Sequence, residues 1–190
     1  VIETTIEVNG LTSGIQGTSA DVVTKLLGSD WRLPTLAEYQ ELIECCTVGH
    51  TQQGEFDIPI VTSNTTHNVL RFVCYNDDYN GSTRLTSNVD SVDITKAATF
   101  YANAGNWTAY TTTIDRYKKV AIRPVTDNPN LGVDMGCPSG VRWASRDLGA
   151  TTDWNTGNQY AFGEITTKAE YTWDTYLCAQ AECGTTEDPL

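Results

Sequence analysis

Gly28 to Cys46 reads GSDWRLPTLAEYQELIECC. Within it, Thr35-Leu36-Ala37-Glu38 has the spacing of a capping box, in which a threonine and a glutamate three residues on satisfy each other's backbone N–H groups. Leu36, Tyr39, Leu42, Ile43 and Cys46 then recur at helical spacing on one face. The stretch therefore predicts an amphipathic helix that starts at Thr35 and stops near Val48-Gly49. A segment of this kind normally sits inside a domain. Here it follows only 27 residues, and the reading of the whole chain turns on where the rest of its domain lies.

With 190 residues, 39% hydrophobic and 19% charged, the chain suits one domain, or two small ones, with a sizeable core. Its 24 acids against 12 bases give a net charge of −12, and no Lys/Arg cluster is read as offsetting it, which argues against nucleic acid as a partner. No run of 18 apolar residues predicts a membrane span. VIETTIEV at the start has no basic segment and no Met, so the chain reads as a mature or trimmed product.

Six cysteines, Cys45, Cys46, Cys74, Cys137, Cys178 and Cys183, are compatible with three disulfides in an oxidising compartment, in any of 15 pairings. Buried free thiols are the alternative. Cys178 and Cys183, with four residues between them, form the best local pair, whereas adjacent Cys45 and Cys46 are expected not to bond each other. No CxxC pair occurs and only His50 and His67 are present, so a zinc ribbon, a thioredoxin-type site and a histidine metal centre are all poorly supported.

Val1 to Val8 alternates, with Ile2, Thr4, Ile6 and Val8 on one side and Val1, Glu3, Thr5 and Glu7 on the other, which predicts a strand. Asn9-Gly10 follows as a turn, and Ala20 to Leu27 reads as a short helix. DIPIVTS, NVLRFVCY, ATFYA, WTAYTTTI and KKVAIRPV read as strands, and VDMGCPSGVRWASRDLGA as a hairpin or strand pair. The tally is α+β with a mainly antiparallel sheet. No phosphate loop, dinucleotide fingerprint, nucleophile elbow or zinc-protease helix is present, and no internal period divides the chain.

Five blocks together resemble one family. The opening stretch is similar to the GGxWRMPTxAEFxELxxxC block of the Fibrobacter succinogenes major paralogous domain. VDMGCPSGVRWASRDLGATT resembles its VDLGLPSGxxWAxxNxGA block, and YAFGEITTKAEYTWDTY the FAWGExxxKxxYxWxxY continuation. FDIPIVTSNTTHNVLRFVC resembles GYKVTSKxNGNSIFLPA, and VAIRPV the closing SVRPV. The resemblance implies a C-type-lectin-like fold, in secreted or surface proteins of Bacteroidota or in their phages. It departs from the family at Ser145-Arg146, Cys137 and Val73-Cys74-Tyr75, which puts any carried-over ligand site in doubt.

In the family, the VDLGLPSG block comes first and SVRPV last. Here the order is exchanged. The expected organisation is an N-terminal extension at 1–27, the family's second half at 28–125, a linker at 126–132 and its first half at 133–190. Three arrangements fit that order: a circular permutant closing on itself through a hairpin at the linker, a domain completed by a neighbouring chain, or a stretch of a longer repeated protein.

Trp31, Leu36, Leu42, Ile43, Val120, Ile122 and Trp143 are expected to share one core, with Phe162 and Trp173 as further anchors. Trp107 and Trp154, with Asn106 and Asn155, lie in Asn/Gly/Thr-rich loops and are the candidate sugar-contacting residues. Asp77, Asp78 and Asn80 offer clustered oxygens for calcium, without EF-hand spacing, and a solvated turn is the simpler reading. Glu38, Glu41 and Glu44 read as solubilising rather than catalytic, so no enzyme and no other cofactor is expected. Asn64, Asn80 and Asn106 head formal glycosylation sequons.

Two functions follow as expectations. One is a non-enzymatic structural protein of a surface filament or phage particle, self-associating when the strand carrying Ile2, Thr4, Ile6 and Val8 adds to a neighbour's sheet. The other is a lectin-like module, extracellular or on a cell surface or virion, binding a glycan or a surface protein.

Overall fold

The computed structural model describes residues 14–54, 56–73 and 81–179. The expected assembly strand at 1–8, the calcium candidates Asp77, Asp78 and Asn80, and Cys183 with its expected bond to Cys178 lie outside these residues. The described part is mixed α+β, with two short α-helices and three small sheets. Helix α1 spans Val22–Leu27 and α2 spans Leu36–Cys45.

Strands β1 (Cys46–Gln53), β2 (Phe56–Ser63) and β3 (Val69–Arg71) form an antiparallel meander. The larger sheet contains β4 (Gly81–Val89), β5 (Lys96–Asn103), β6 (Thr108–Asp115), β7 (Val120–Ala121) and β11 (Gln159–Tyr160). Its order is β11-β7-β4-β5-β6, with β4 and β7 parallel and every other neighbour antiparallel. The third sheet is β8 (Val125–Thr126), β10 (Arg142–Trp143) and β9 (Val133–Asp134), in that order.

The capping box forms as the spacing predicts. Glu38 N–H donates to Thr35 Oγ1 at 3.2 Å, and Thr35 N–H donates to Glu38 Oε2 at 2.7 Å. The helix stops at Cys45 rather than near Val48-Gly49, because Cys46 turns extended and residues 46–53 pair in full register with β2. Ahead of the helix, Asp21 is wholly buried. Its carboxylate accepts N–H groups from Gly17, Val23, Thr24 and Leu33, which caps α1 and ties it to the Trp31–Pro34 stretch. Ile15, Val22 and Val23 are also fully buried, so residues 14–27 belong to the core.

The period-2 geometry of a strand separates two cores across the five-stranded sheet. Leu85, Ala97 and Ile114 point to one face and pack with α1 residues, Leu33, Val120, Ile122 and the segment around Phe162 and Tyr176. Phe100, Ala102 and Ala109 point to the other and pack with Tyr39, Leu42, Leu70, Phe72 and Trp143. Tyr39 stacks on Phe100 at 4.5 Å between ring centroids. The expected single core is therefore two. Trp31, Val120 and Ile122 join the first; Leu42, Ile43 and Trp143 join the second; Leu36 is only half-buried.

The junction at 126–132 does not close a hairpin. Val125 and Val133 both pair with Trp143, so β10 lies between β8 and β9, and those two strands run parallel on its flanks. A hairpin would have left Trp143 without its two backbone neighbours. Gly132, at φ +65, passes so close that a Cβ there would lie 2.9 Å from the Trp143 carbonyl oxygen. Arg32 fixes the other side. Its backbone exchanges two 3.0 Å hydrogen bonds with Val125, and its guanidinium reaches Glu38 at 2.7 Å and Asp127 at 2.8 Å. Both sequence halves contribute to both cores, so the described part closes within one chain.

Beneath the sheet, Arg84 and Arg123 converge on Asp147, and all three are buried. Arg84 is bidentate, Nε to Oδ1 at 3.0 Å and Nη2 to Oδ2 at 2.6 Å, and Arg123 Nε donates to Oδ1 at 2.8 Å. The remaining guanidinium protons go to Ser82 Oγ and to the carbonyls of Arg71, Val73, Thr83, Ala144 and Ser145. Desolvation pulls the Arg123 pKa below its ordinary value, with Asp147 opposing the shift. Asp147→Ala leaves two buried guanidiniums without their anion, and denaturant unfolding should show a loss of about 3–5 kcal/mol. An unchanged midpoint would show that water reaches the site freely.

Candidate functional site

The loop residues expected to touch a ligand are placed separately. Trp107 sits in the β5–β6 turn at φ +55, is 60% exposed, and stacks on the His50 ring of β1 at 5.4 Å. Asn106 accepts a hydrogen bond from Thr108 Oγ1 at 2.6 Å. Trp154 is half-buried under the Arg71 guanidinium at 4.8 Å, and Asn155 accepts the Gly157 N–H at 2.8 Å. Both asparagine carbonyls are thus spent on shaping their own turns. The two tryptophans lie against different elements, with no ring contact between them among the described residues.

A groove of about 590 Å³ opens at the end of the sheet face that carries Leu85. That volume lies within the usual range for small-ligand sites, roughly 300–1,000 Å³. Its walls come from β4, β5, the β6–β7 connection, the residues before β11, and Tyr171. Strand alternation puts Thr83 and Tyr101 on this face. Tyr101 lies opposite Tyr110, 49% exposed, with ring centroids 5.1 Å apart, so the aromatic surface continues past the rim.

Tyr117 is braced by Trp173 at 4.9 Å. Tyr171 is fixed at both lone pair and proton: it accepts the Lys168 N–H at 3.2 Å and donates to the Gln159 carbonyl at 2.9 Å. Burial pushes its hydroxyl above the usual tyrosine value, which keeps it a donor at neutral pH.

Lys118 and Lys119 stand at the mouth, both exposed. Lys119 Nζ lies 5.9 Å from the Tyr171 ring centre, and Lys118 Nζ lies 3.9 Å from Asp115, a long surface pair of small energy. No aspartate or glutamate is among the described lining residues, in a chain with 24 of them. The arrangement offers flat apolar faces, hydroxyl and amide groups, and positive charge. Among the described residues it offers no carboxylate.

Sequence reasoning missed this groove, because its walls come from segments far apart in the chain. One local signal did exist. Arg116-Tyr117-Lys118-Lys119 holds three of the chain's 12 bases with a tyrosine between them, which corrects the reading that no basic cluster occurs.

A second cluster lies where α2 passes into β1. Cys45 is disulfide-bonded to Cys137 with 5.8 Å between their α-carbons, and so not to Cys46. The Cys46 sulfur is 3.6 Å from that of Cys45, and all three sulfurs lie within 4.8 Å of one another. As three thiolates they could hold a thiophilic ion; with the bond formed, only Cys46 remains as a thiol. Burial raises its pKa to about 11, which keeps it protonated and unreactive at neutral pH. Cys178 is buried at 2% beside Tyr176 in the first core.

No protein-family model matches the chain, and comparison with curated proteins and with solved structures found no similar protein.

Non-reducing peptide mapping should recover Cys45 linked to Cys137, with Cys46 alkylated only after unfolding. Cys137→Ser should destabilise the protein by about 2–5 kcal/mol, since the bond closes a long loop. Recovery of Cys46 in a bridge would overturn this assignment.

Proposed function

We propose that this chain is a non-enzymatic, extracellular saccharide-binding module built on a C-type-lectin-like framework related to the Fibrobacter succinogenes major paralogous domain. One observation carries the reading: the groove whose walls are Tyr101, Tyr117 and Tyr171, with Thr83, Thr156 and Gln159 as polar partners. Sugar rings present apolar C–H faces and a rim of hydroxyls. Aromatic side chains fit the faces, and amide and hydroxyl groups fit the rim. Among the described residues the lining carries no pair of carboxylates, which supports binding over glycoside cleavage.

The cysteine bridge supports an oxidising location. The exposed Tyr110, next to Tyr101, extends the aromatic surface beyond the groove and suits a ligand longer than one ring.

Calcium needs oxygen ligands with carboxylates among them, and the described groove residues supply none, so we expect binding without a bridging cation. Glycan-array screening followed by calorimetry on the full chain should find saccharide ligands whose affinity is unchanged by a chelator. Tyr101→Ala and Tyr117→Ala should each weaken binding about tenfold, the equivalent of about 1.4 kcal/mol. Binding abolished by the chelator, or left intact by both substitutions, would refute this groove as the site.

A further inference from the structure

We infer that the groove takes a saccharide carrying a carboxylate, such as a uronic-acid oligosaccharide; this rests on the saccharide-binding reading above. The first observation is the charge contrast. The chain carries −12 overall, yet its groove is lined by Arg84, Lys118 and Lys119 and by no acid among the described residues.

The second observation is which of those cations are free to act. Arg84 is committed to Asp147 and to the carbonyls of Val73 and Thr83, so it does not reach a ligand. Lys119 has no carboxylate within ion-pair distance among the described residues. Lys118 has only the 3.9 Å contact to Asp115. Lys119 Nζ lies 5.9 Å from the ring centre of Tyr171, one wall of the groove, so a carboxylate on a sugar held in the groove meets this ammonium there.

The third observation limits the ligand to a short, weakly charged one. The basic surface is local: Asp115 borders it, with its carboxylate 3.9 Å from Lys118 Nζ. A polyanion running out of the groove would cross the acidic remainder of the surface and be repelled, with a screening length of about 8 Å at physiological salt. An isolated carboxylate on a neutral sugar frame gains the lysines without that penalty.

The test uses the full chain and four probes at two salt concentrations: a uronic-acid oligosaccharide, its carboxyl-reduced neutral counterpart, a sulfated polysaccharide, and a single-stranded oligonucleotide. The uronate should bind at least about tenfold more tightly than its reduced form, and the gap should narrow at high salt. Lys118→Gln with Lys119→Gln should remove that gap, weakening the uronate by at least about tenfold more than the neutral form. Circular dichroism should confirm that the double variant folds; Lys119→Arg, which keeps the charge, should retain the preference. Equal affinity for the uronate and its reduced form overturns the inference and leaves saccharide binding standing. Tighter binding of the sulfated polymer or the oligonucleotide overturns the ligand class. Absence of binding to either oligosaccharide overturns this inference and the reading beneath it together.

Discussion

The rest of the fold depends on one carboxylate held by two arginines. Asp147 receives Arg84 from the middle of the five-stranded sheet and Arg123 from the chain just before the junction, far from water on every side. Buried ion pairs are poor sources of net stability, since desolvation offsets most of the attraction. Their value here is positional. The spare guanidinium protons bind carbonyls at Arg71, Val73, Ala144 and Ser145, so β3, β4 and the segment after β10 are referenced to one point. Phe72 lies near both guanidiniums, at 5.5 and 5.0 Å, and seals them on the second core. A shift in any of these segments would strand a buried donor, which is costlier than a lost apolar contact.

This network also explains how a groove can exist beside the sheet. The parallel join of β4 to β7 rests on one residue pair, Arg84 with Ala121. Such a short join leaves room at the sheet end for side chains from Tyr101, Tyr117 and Gln159 to face open space. Arg84 itself turns the other way: strand alternation sends its side chain to the face of Phe72 and Asp147, opposite Thr83 and Tyr101.

What could be read in the sequence was what is local. The capping box at Thr35, the face carrying Tyr39 and Leu42, the β5–β6 hairpin and the pairing of VDMG with GVRW all follow from spacing within a few residues. Strand β4 could not be read that way. GSTRLTSNV looks like a polar turn, yet it is the sheet's central strand, and Ser82, Arg84, Thr86 and Ser87 are all buried. Their partners lie elsewhere: Arg84 on Asp147, Thr86 on the Ala98 carbonyl. Hydrophobic periodicity cannot find a strand whose inward residues are polar. The end of α2 failed for a related reason, because CTVGHTQQ takes its strand form from pairing with β2 and not from its own pattern. Loop tryptophans were sought as binding residues, whereas the groove gathers tyrosines and lysines whose nearness depends on the fold.

The contacts that close this molecule also set the order in which it can form. The Cys45–Cys137 bond spans 92 residues, the Arg32–Asp127 pair 95, and the Arg84–Asp147 pair 63. During synthesis α2 therefore emerges long before Trp143, which covers it. For that interval Tyr39 and Leu42 face solvent, and Cys45 and Cys46 meet any oxidant without Cys137 nearby. Such a topology folds slowly, since distant segments must meet before the core rewards them. None of those three contacts can form until synthesis has entered the last third of the described residues.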